Sequence, residues 1–291
     1  MAHILLGGEV AYVLTESLSQ RVVELKQRGV DPLLAIVRLG EEPAALLYEE
    51  GASKHAERIG VKVKVYALAE DANQADIEQV IVEINQDDSI HGCLVFSPLP
   101  SHIDEKRIAN LLAPDKDVDA STEASLAGVF KGEPNRFAPC TAEAAMAIID
   151  YYNVPLSGAR VVVLGRSLVV GKPVAMLLLN ANATVTICHS KTKDSAQIAK
   201  EADILVTCTG QSKMVTAEFT NPDQIIIDVG INVDENGKVS GDADFENIEP
   251  IVKAITPVQG GVGSVTVSVL IRHVVEAAER ACMCYLTMNV S

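Results

Sequence analysis

Apolar residues recur along this chain in two forms: short runs rich in valine and isoleucine, and longer stretches with an apolar side chain every third or fourth position. Residues 9–28 are of the second form, with Val10, Leu14, Leu18, Val22 and Leu25 on one helical face and Gly29 at the end. The run 32–37 (PLLAIV) reads as a strand, Gly40-Glu41-Glu42-Pro43 as a turn, and 44–59 as a helix stopped by Gly60. A strand over 61–66, a helix over 73–85, a strand over 91–96 (HGCLVF) and a short helix over 103–112 follow. Such β-α alternation predicts a parallel sheet with right-handed crossovers. The polar stretch 114–136 reads as a connector, and 141–151 as a helix.

The run 160–173, RVVVLGRSLVVGKP, predicts a buried strand, a glycine turn and the start of a helix. Gly165 allows the sharp exit, Gly171 a close helix–strand approach, and Pro173 suits a first helical turn. Backbone N–H groups at such a turn attract phosphate, and the helix dipole adds to the attraction. Arg166 and Ser167 place a guanidinium and a hydroxyl at the same point. The segment is not a G-x-G-x-x-G fingerprint, so an ordinary strand–turn–helix corner is the competing reading.

Residues 183–187 (ATVTI) predict the next strand, with Cys188-His189-Ser190-Lys191-Thr192 as its polar exit. In a dinucleotide fold that exit meets the adenosine ribose. Ser190, Lys191 and Thr192, with Arg166 near them in such a fold, suit a 2′-phosphate and favour NADP over NAD. A helix N-cap is the other role open to Ser190. Further on come a helix near 196–202, strands at 204–207 and 224–229, a hairpin turn at Asn236-Gly237 and a strand at 254–258. Gly260-Gly261-Val262-Gly263 then leads into a helix over about 265–282. Those glycines read either as a flexible approach or as backbone N–H groups offered to a ligand.

Composition narrows the function. A chain of 291 residues, 48% hydrophobic, holds one large or two modest domains with sizeable cores. Its net charge of −15 argues against non-specific binding to nucleic acid or to an anionic membrane surface. No apolar run reaches the length of a membrane span, and the first ten residues lack the basic and apolar regions of a signal peptide. The six cysteines are scattered, and Cys282 and Cys284 are too close for a C-x-x-C site. They read as free thiols of a reducing, cytoplasmic compartment, and no His/Cys cluster has metal-ligand spacing. Cys140 reads as a small packed residue, not a nucleophile, because no histidine partner is visible.

Several blocks, in order, carry a resemblance. They are Gly40-Glu-Glu-Pro-Ala44 with Tyr48, Ser97-Pro-Leu-Pro100, Asp115-Lys-Asp-Val-Asp119 and Phe137-Ala-Pro-Cys-Thr141. Further on are Gly165-Arg-Ser167 with Val170-Gly-Lys-Pro173, Ile227-Asp-Val-Gly-Ile-Asn232, Gly241-Asp-Ala-Asp244 and Thr256-Pro-Val258 with Gly260-Gly-Val-Gly263. Along nearly its whole length the chain resembles the methylenetetrahydrofolate dehydrogenase/cyclohydrolase family, of the bifunctional FolD type. The resemblance implies an α/β fold of two domains with a cleft between them. Residues 1–119 would form a parallel-sheet folate domain, joined by the C-terminal helix at about 265–291, and 120–264 a Rossmann-like NADP-binding domain. It also implies a homodimer and tetrahydrofolate derivatives as ligands. The implied chemistry is hydride transfer from 5,10-methylenetetrahydrofolate to NADP⁺, then hydrolysis of the methenyl cation to 10-formyltetrahydrofolate. Catalytic and substrate-binding roles fall on Tyr48 and Asp119, cofactor contacts on Gly165, Arg166, Ser167, Ser190 and Ile231, and substrate contacts on Gly260 and Gly261.

The match is incomplete on the folate side. Where the family has a lysine four residues after the tyrosine, this chain has Ala52. Its nearest lysine, Lys54, is a catalytic candidate only if the helix breaks at Gly51, since two further residues turn a side chain by about 200°. A solvated helix lysine is the favoured reading of Lys54. The family's glutamine after the third strand is Phe96 here, and Ala120 stands where the family has glycine. P-C-T-P-x-G appears as Pro139-Cys-Thr-Ala-Glu-Ala144, and P-G-G-V-G-P-M-T as Gln259-Gly-Gly-Val-Gly-Ser-Val-Thr266. The expectation is dehydrogenation retained and cyclohydrolase activity weak or lost; the alternatives are a fully bifunctional enzyme and a non-catalytic or differently specific NADP-binding relative.

Overall fold

The computed structural model describes residues 1–288, with side chains as far as residue 283, so the Cys284 thiol and residues 289–291 of the expected last helix lie outside the described residues. The elements in chain order are β1 (His3–Ile4), α1 (Gly7–Gln27), β2 (Leu33–Leu39), α2 (Pro43–Ile59), β3 (Lys62–Leu68), α3 (Gln74–Gln86), β4 (Gly92–Val95), α4 (Glu105–Leu111), α5 (Glu123–Lys131) and α6 (Cys140–Tyr151). They continue with β5 (Arg160–Leu164), α7 (Gly171–Asn180), β6 (Thr184–Cys188), α8 (Ser195–Lys200), β7 (Ile204–Thr207), β8 (Ile225–Asp228), β9 (Asn232–Val233), β10 (Val239–Ser240), α9 (Phe245–Ile248), β11 (Ala254–Ile255) and α10 (Gly263–Met288). The chain divides into two compact units, Met1–Tyr12 with Pro139–Thr266, and Val13–Ala138 with the chain from Val267.

The unit built on Val13–Ala138 holds a parallel three-stranded sheet of order β3-β2-β4. Its centre is β2, where Leu34, Ala35, Ile36 and Val37 are fully buried, as a strand covered on both faces requires. Ile77, Ile81 and Ile84 of α3 pack into the same core at helical spacing. Helix α3 begins with a reciprocal cap between Asn73 and Asp76. Helix α2 opens with Glu42, whose carboxylate accepts from the Ala45 N–H at 2.8 Å, and Pro43 follows at the first turn. It closes at Gly60 in the left-handed conformation, whose N–H reaches Ala56 and Glu57 carbonyls. Between those caps the helix is continuous through Gly51.

The other unit holds a six-stranded parallel sheet of order β1-β11-β8-β7-β5-β6. Strand order reverses between β5 and β7, since β6 lies on one side of β5 and the later strands on the other. A hairpin of β9 and β10 turns at Gly237 in a left-handed conformation, as the Asn-Gly pair predicts.

This division differs from the expected 1–119 and 120–264 in two places. The first residues go with the six-stranded unit because β1 pairs with β11, His3 opposite Ala254. Residues 120–138, expected as connector, go with the three-stranded unit and carry α5. That helix has a cap signal: the Thr122 hydroxyl accepts from Ser125 N at 3.0 Å, Glu123 sits in the first turn and Gly132 closes it. Ser125 and Gly128 on its buried side, with Ala124, Ala127 and Phe130 exposed, blur the hydrophobic period that would reveal it.

Candidate active site

In the three-stranded unit the candidate residues gather at the carboxyl ends of β2 and β4, where open α/β sheets bind ligands. Tyr48 projects from α2 and meets Phe96, which follows β4, in an edge-to-face pair 5.7 Å apart. Ala52, one turn beyond Tyr48, is fully buried. Lys54 points elsewhere: its Nζ lies 2.5 Å from Glu50 Oε1, and its side chain is 72% exposed. The continuity of α2 through Gly51 accounts for that direction. Next to Tyr48, Glu49 accepts from Arg38 Nε at 2.7 Å, while Arg38 Nη1 donates to the Gly40 carbonyl at 2.5 Å. This links the end of β2, its turn and α2. Among the described residues, no group of histidine, cysteine and carboxylate side chains could hold a metal ion.

Asp117 and Asp119 part company. Asp117 is buried and accepts from Ser121 N, Ser121 Oγ and Thr122 N at 2.9, 3.1 and 2.9 Å, so it holds the turn before α5. Asp119 is partly exposed, and the backbone on either side of it is constrained. His273 Nδ1 lies 2.8 Å from the Val118 carbonyl, and Ala120 adopts a left-handed φ of 52°.

In the six-stranded unit, Gly165 leaves β5 at φ 131°. A Cβ there would collide with the Cys208 carbonyl at the end of β7, so only glycine fits this corner. The corner lies at the point of strand-order reversal, the site of dinucleotide binding in such sheets. Ser167 Oγ accepts from Val170 N at 3.1 Å and Gly171 N at 3.3 Å, which holds the start of α7 and leaves its proton to donate. Arg166 is exposed beside it.

Leu164 and Cys188 are paired, so Arg166 and Ser190 stand two residues beyond the same rung. The N-cap role for Ser190 is overturned: α8 begins at Ser195, with Asp194 before it. Ser190 and Lys191 are exposed, and residues 188–193 contain no acidic side chain. A glycine corner that admits no Cβ, together with this cationic, acid-free rim, fits a pyrophosphate and a 2′-phosphate. His189 Nδ1 accepts from Lys191 N at 3.1 Å, so it shapes the rim.

Ile231 follows β8 and is 56% exposed. Gly260 adopts φ 75° and its carbonyl accepts from Gly7 N at 2.7 Å. Ser264 Oγ donates to the Gly261 carbonyl at 2.7 Å. Sequence reasoning missed two buried acids beneath this end of the sheet, Asp228 and Asp242. Burial pushes the Asp228 carboxyl up to about 6 and the Asp242 charge adds to the rise, while the Ala243 amide and Thr207 hydroxyl oppose it. Cys208 is no nucleophile: its Sγ donates to the Leu164 carbonyl, and burial, with Asp242 and Asp228 adding, pushes its thiol up to about 12.

A parallel sheet with a glycine corner at its strand reversal defines a dinucleotide-binding α/β unit of the Rossmann class. Residues 5–119 match the model of the tetrahydrofolate dehydrogenase/cyclohydrolase catalytic domain, and residues 139–282 match that of the same family's NAD(P)-binding domain. The chain belongs to the tetrahydrofolate dehydrogenase/cyclohydrolase family. It is 51% identical over 281 residues to the bifunctional protein FolD of Carboxydothermus hydrogenoformans, covering 96% of this chain and 98% of that one. It is 47% identical to the bifunctional protein FolD of Clostridium botulinum, with 96% and 99% covered. Among solved structures, the bifunctional FolD of Campylobacter jejuni superposes with a TM-score of 0.94 at 35% identity, covering 96% of this chain and 99% of that one. The Trypanosoma brucei FolD, solved with NADP cofactor and an inhibitor, superposes with a TM-score of 0.90 at 33% identity, with 96% and 98% covered.

Proposed function

We propose that the protein oxidises 5,10-methylenetetrahydrofolate to 5,10-methenyltetrahydrofolate with NADP⁺, and that its cyclohydrolase step is weak or lost. When bound, NADP⁺ supplies the hydride acceptor. For that step the chain has to align the donor carbon and exclude water. Tyr48, packed against Phe96, offers an aromatic surface to the pterin, and Asp119 an acceptor for its N–H groups. Gly165, Arg166, Ser167 and Ser190 would hold the pyrophosphate and 2′-phosphate, and Ile231 would line the nicotinamide end. Gly260 and Gly261 would contact substrate through their backbone.

Hydrolysis of the methenyl cation needs more: a group that moves a proton while water attacks. The observation that carries the proposal is that the position one turn past Tyr48 is the buried methyl of Ala52, and the neighbouring ring is Phe96. Neither can take a proton or hold a water. Lys54 is engaged with Glu50 on the outer face of the helix.

The test is to add the protein to methenyltetrahydrofolate and follow the loss of its absorbance, alongside NADPH formation from methylenetetrahydrofolate. Hydride transfer with hydrolysis at the buffer rate is the expected pair of results, and fast hydrolysis would refute the second half. Ala52→Lys combined with Phe96→Gln should raise hydrolysis, and no gain would undercut the roles given to those positions. A second reading, full bifunctionality with another group recruited, draws on the relatives near 50% identity that carry the bifunctional description. A homodimer in the cytoplasm belongs to the same proposal. No helix among the described residues is long and apolar enough to cross a membrane.

A further inference from the structure

Asp228 and Asp242 are both buried, and neither belongs to the roles assigned above. Asp242 gathers three consecutive backbone N–H groups of the turn after β7: Thr209, Gly210 at 3.2 Å and Gln211 at 3.0 Å. It also accepts from Asn232 Nδ2 at 3.0 Å, across at the start of β9. Asp228 holds the frame behind it. Its carboxylate accepts from Thr207 Oγ1 at 2.8 Å, Gly230 N at 3.0 Å, Asp242 N at 3.2 Å and Ala243 N at 2.9 Å. The donors are all neutral groups, and they come from the end of β7, the start of β9, the turns after β7 and β8 and the segment Gly241–Ala243. Glycine stands at 230 and 241 because a Cβ would drive into Asp242 at the first and Asp228 at the second.

The two turns sit at the carboxyl ends of β7 and β8, past the strand reversal from the Gly165 corner. A dinucleotide whose adenosine half lies at β5 and β6 extends its other half over these turns. We infer that Asp228 and Asp242 are positioning residues for the nicotinamide half of the cofactor, fixing from below the turns that receive it. The inference rests on the proposed nucleotide site and says which buried groups give it shape. A carboxylate is suited to the task because each oxygen accepts several N–H groups at once, whereas a carboxamide turns a donor toward them.

The experiment compares wild type with Asp242→Asn, Asp228→Asn and the milder Asn232→Ala. Each is titrated with NADP⁺ and with 2′,5′-ADP, which carries the adenosine half alone, and assayed for KM and kcat. The expected result is NADP⁺ affinity lowered about tenfold or more in the aspartate variants and less in Asn232→Ala. Affinity for 2′,5′-ADP and the KM for methylenetetrahydrofolate stay at wild-type values. Equal loss of both nucleotides, or unchanged NADP⁺ affinity in all three variants, would overturn the inference. A wild-type protein that binds neither nucleotide would instead refute the nucleotide site itself. Should the aspartate variants fail to fold, Asn232→Ala decides, since it removes one donor to Asp242 and leaves both carboxylates in place.

Discussion

The rings of Tyr48 and Phe96 meet edge to face, with 5.7 Å between centroids and 77° between planes. Phe96 therefore supports from the side the tyrosine proposed to carry the pterin. Such a pair contributes about 1 kcal/mol beyond its buried area. Phe96→Ala should raise the KM for methylenetetrahydrofolate about fivefold and change kcat less. Steady-state kinetics at saturating NADP⁺ checks this, and an unchanged KM removes Phe96 from the site.

Ala120 follows the proposed pterin acid and carries a φ of 52°, which a Cβ disfavours by about 1–2 kcal/mol. Ala120→Gly should stabilise the protein by on the order of 1 kcal/mol after glycine's entropy cost. A higher melting temperature is the expected readout, and a lower one would show that the buried methyl outweighs the strain.

Gly7 and Gly8 make a paired test of the Gly260–Gly261 turn. A Cβ on Gly7 would strike the Gly261 carbonyl, while one on Gly8 meets open space. Gly7→Ala should lower the melting temperature and raise the KM for the folate substrate. Gly8→Ala should leave activity intact and add up to about 1 kcal/mol of helix stability. Equal effects from the two would detach this turn from substrate binding.

Asp228 gives a pH signature. Its folded pKa of about 6 lies above the ordinary 3.8, so its contribution to stability is full below 3.8 and is lost as pH rises through about 6. Lowering pH from about 7 to about 5 should raise that contribution by on the order of 1 kcal/mol, a gain Asp228→Asn cannot show. Denaturant melts of both proteins at the two pH values measure the difference. Parallel pH responses would mean that Asp228 does not titrate in this range.

The strand–turn–helix at 160–173 was legible because three local signals agree there: β-branched residues, a turn glycine and a helix-starting proline. The gap at Ala52 was equally legible, because helical spacing ties it to Tyr48. Other features depend on distant partners. The two residues of β1 become a strand only by pairing with β11, some 250 residues away. Asp228 and Asp242 look in sequence like ordinary polar exits from strands, and only the folded turns show what they hold. Ser190 looked fit for an N-cap because polar residues at a strand exit serve ligands and helix starts alike; the start of α8 at Ser195 removes the helix-start role.

The Asp242 carboxylate already fills the ring of amides at 209–211, the kind of hollow that elsewhere welcomes an anion. This part of the sheet is thus closed to phosphate by the protein's own charge, which leaves the Gly165 corner as the place proposed for the pyrophosphate. Inorganic phosphate should accordingly compete with 2′,5′-ADP for the rim at Arg166 and Ser190 while leaving the amide resonances of Gly210 and Gln211 unmoved in an NMR titration.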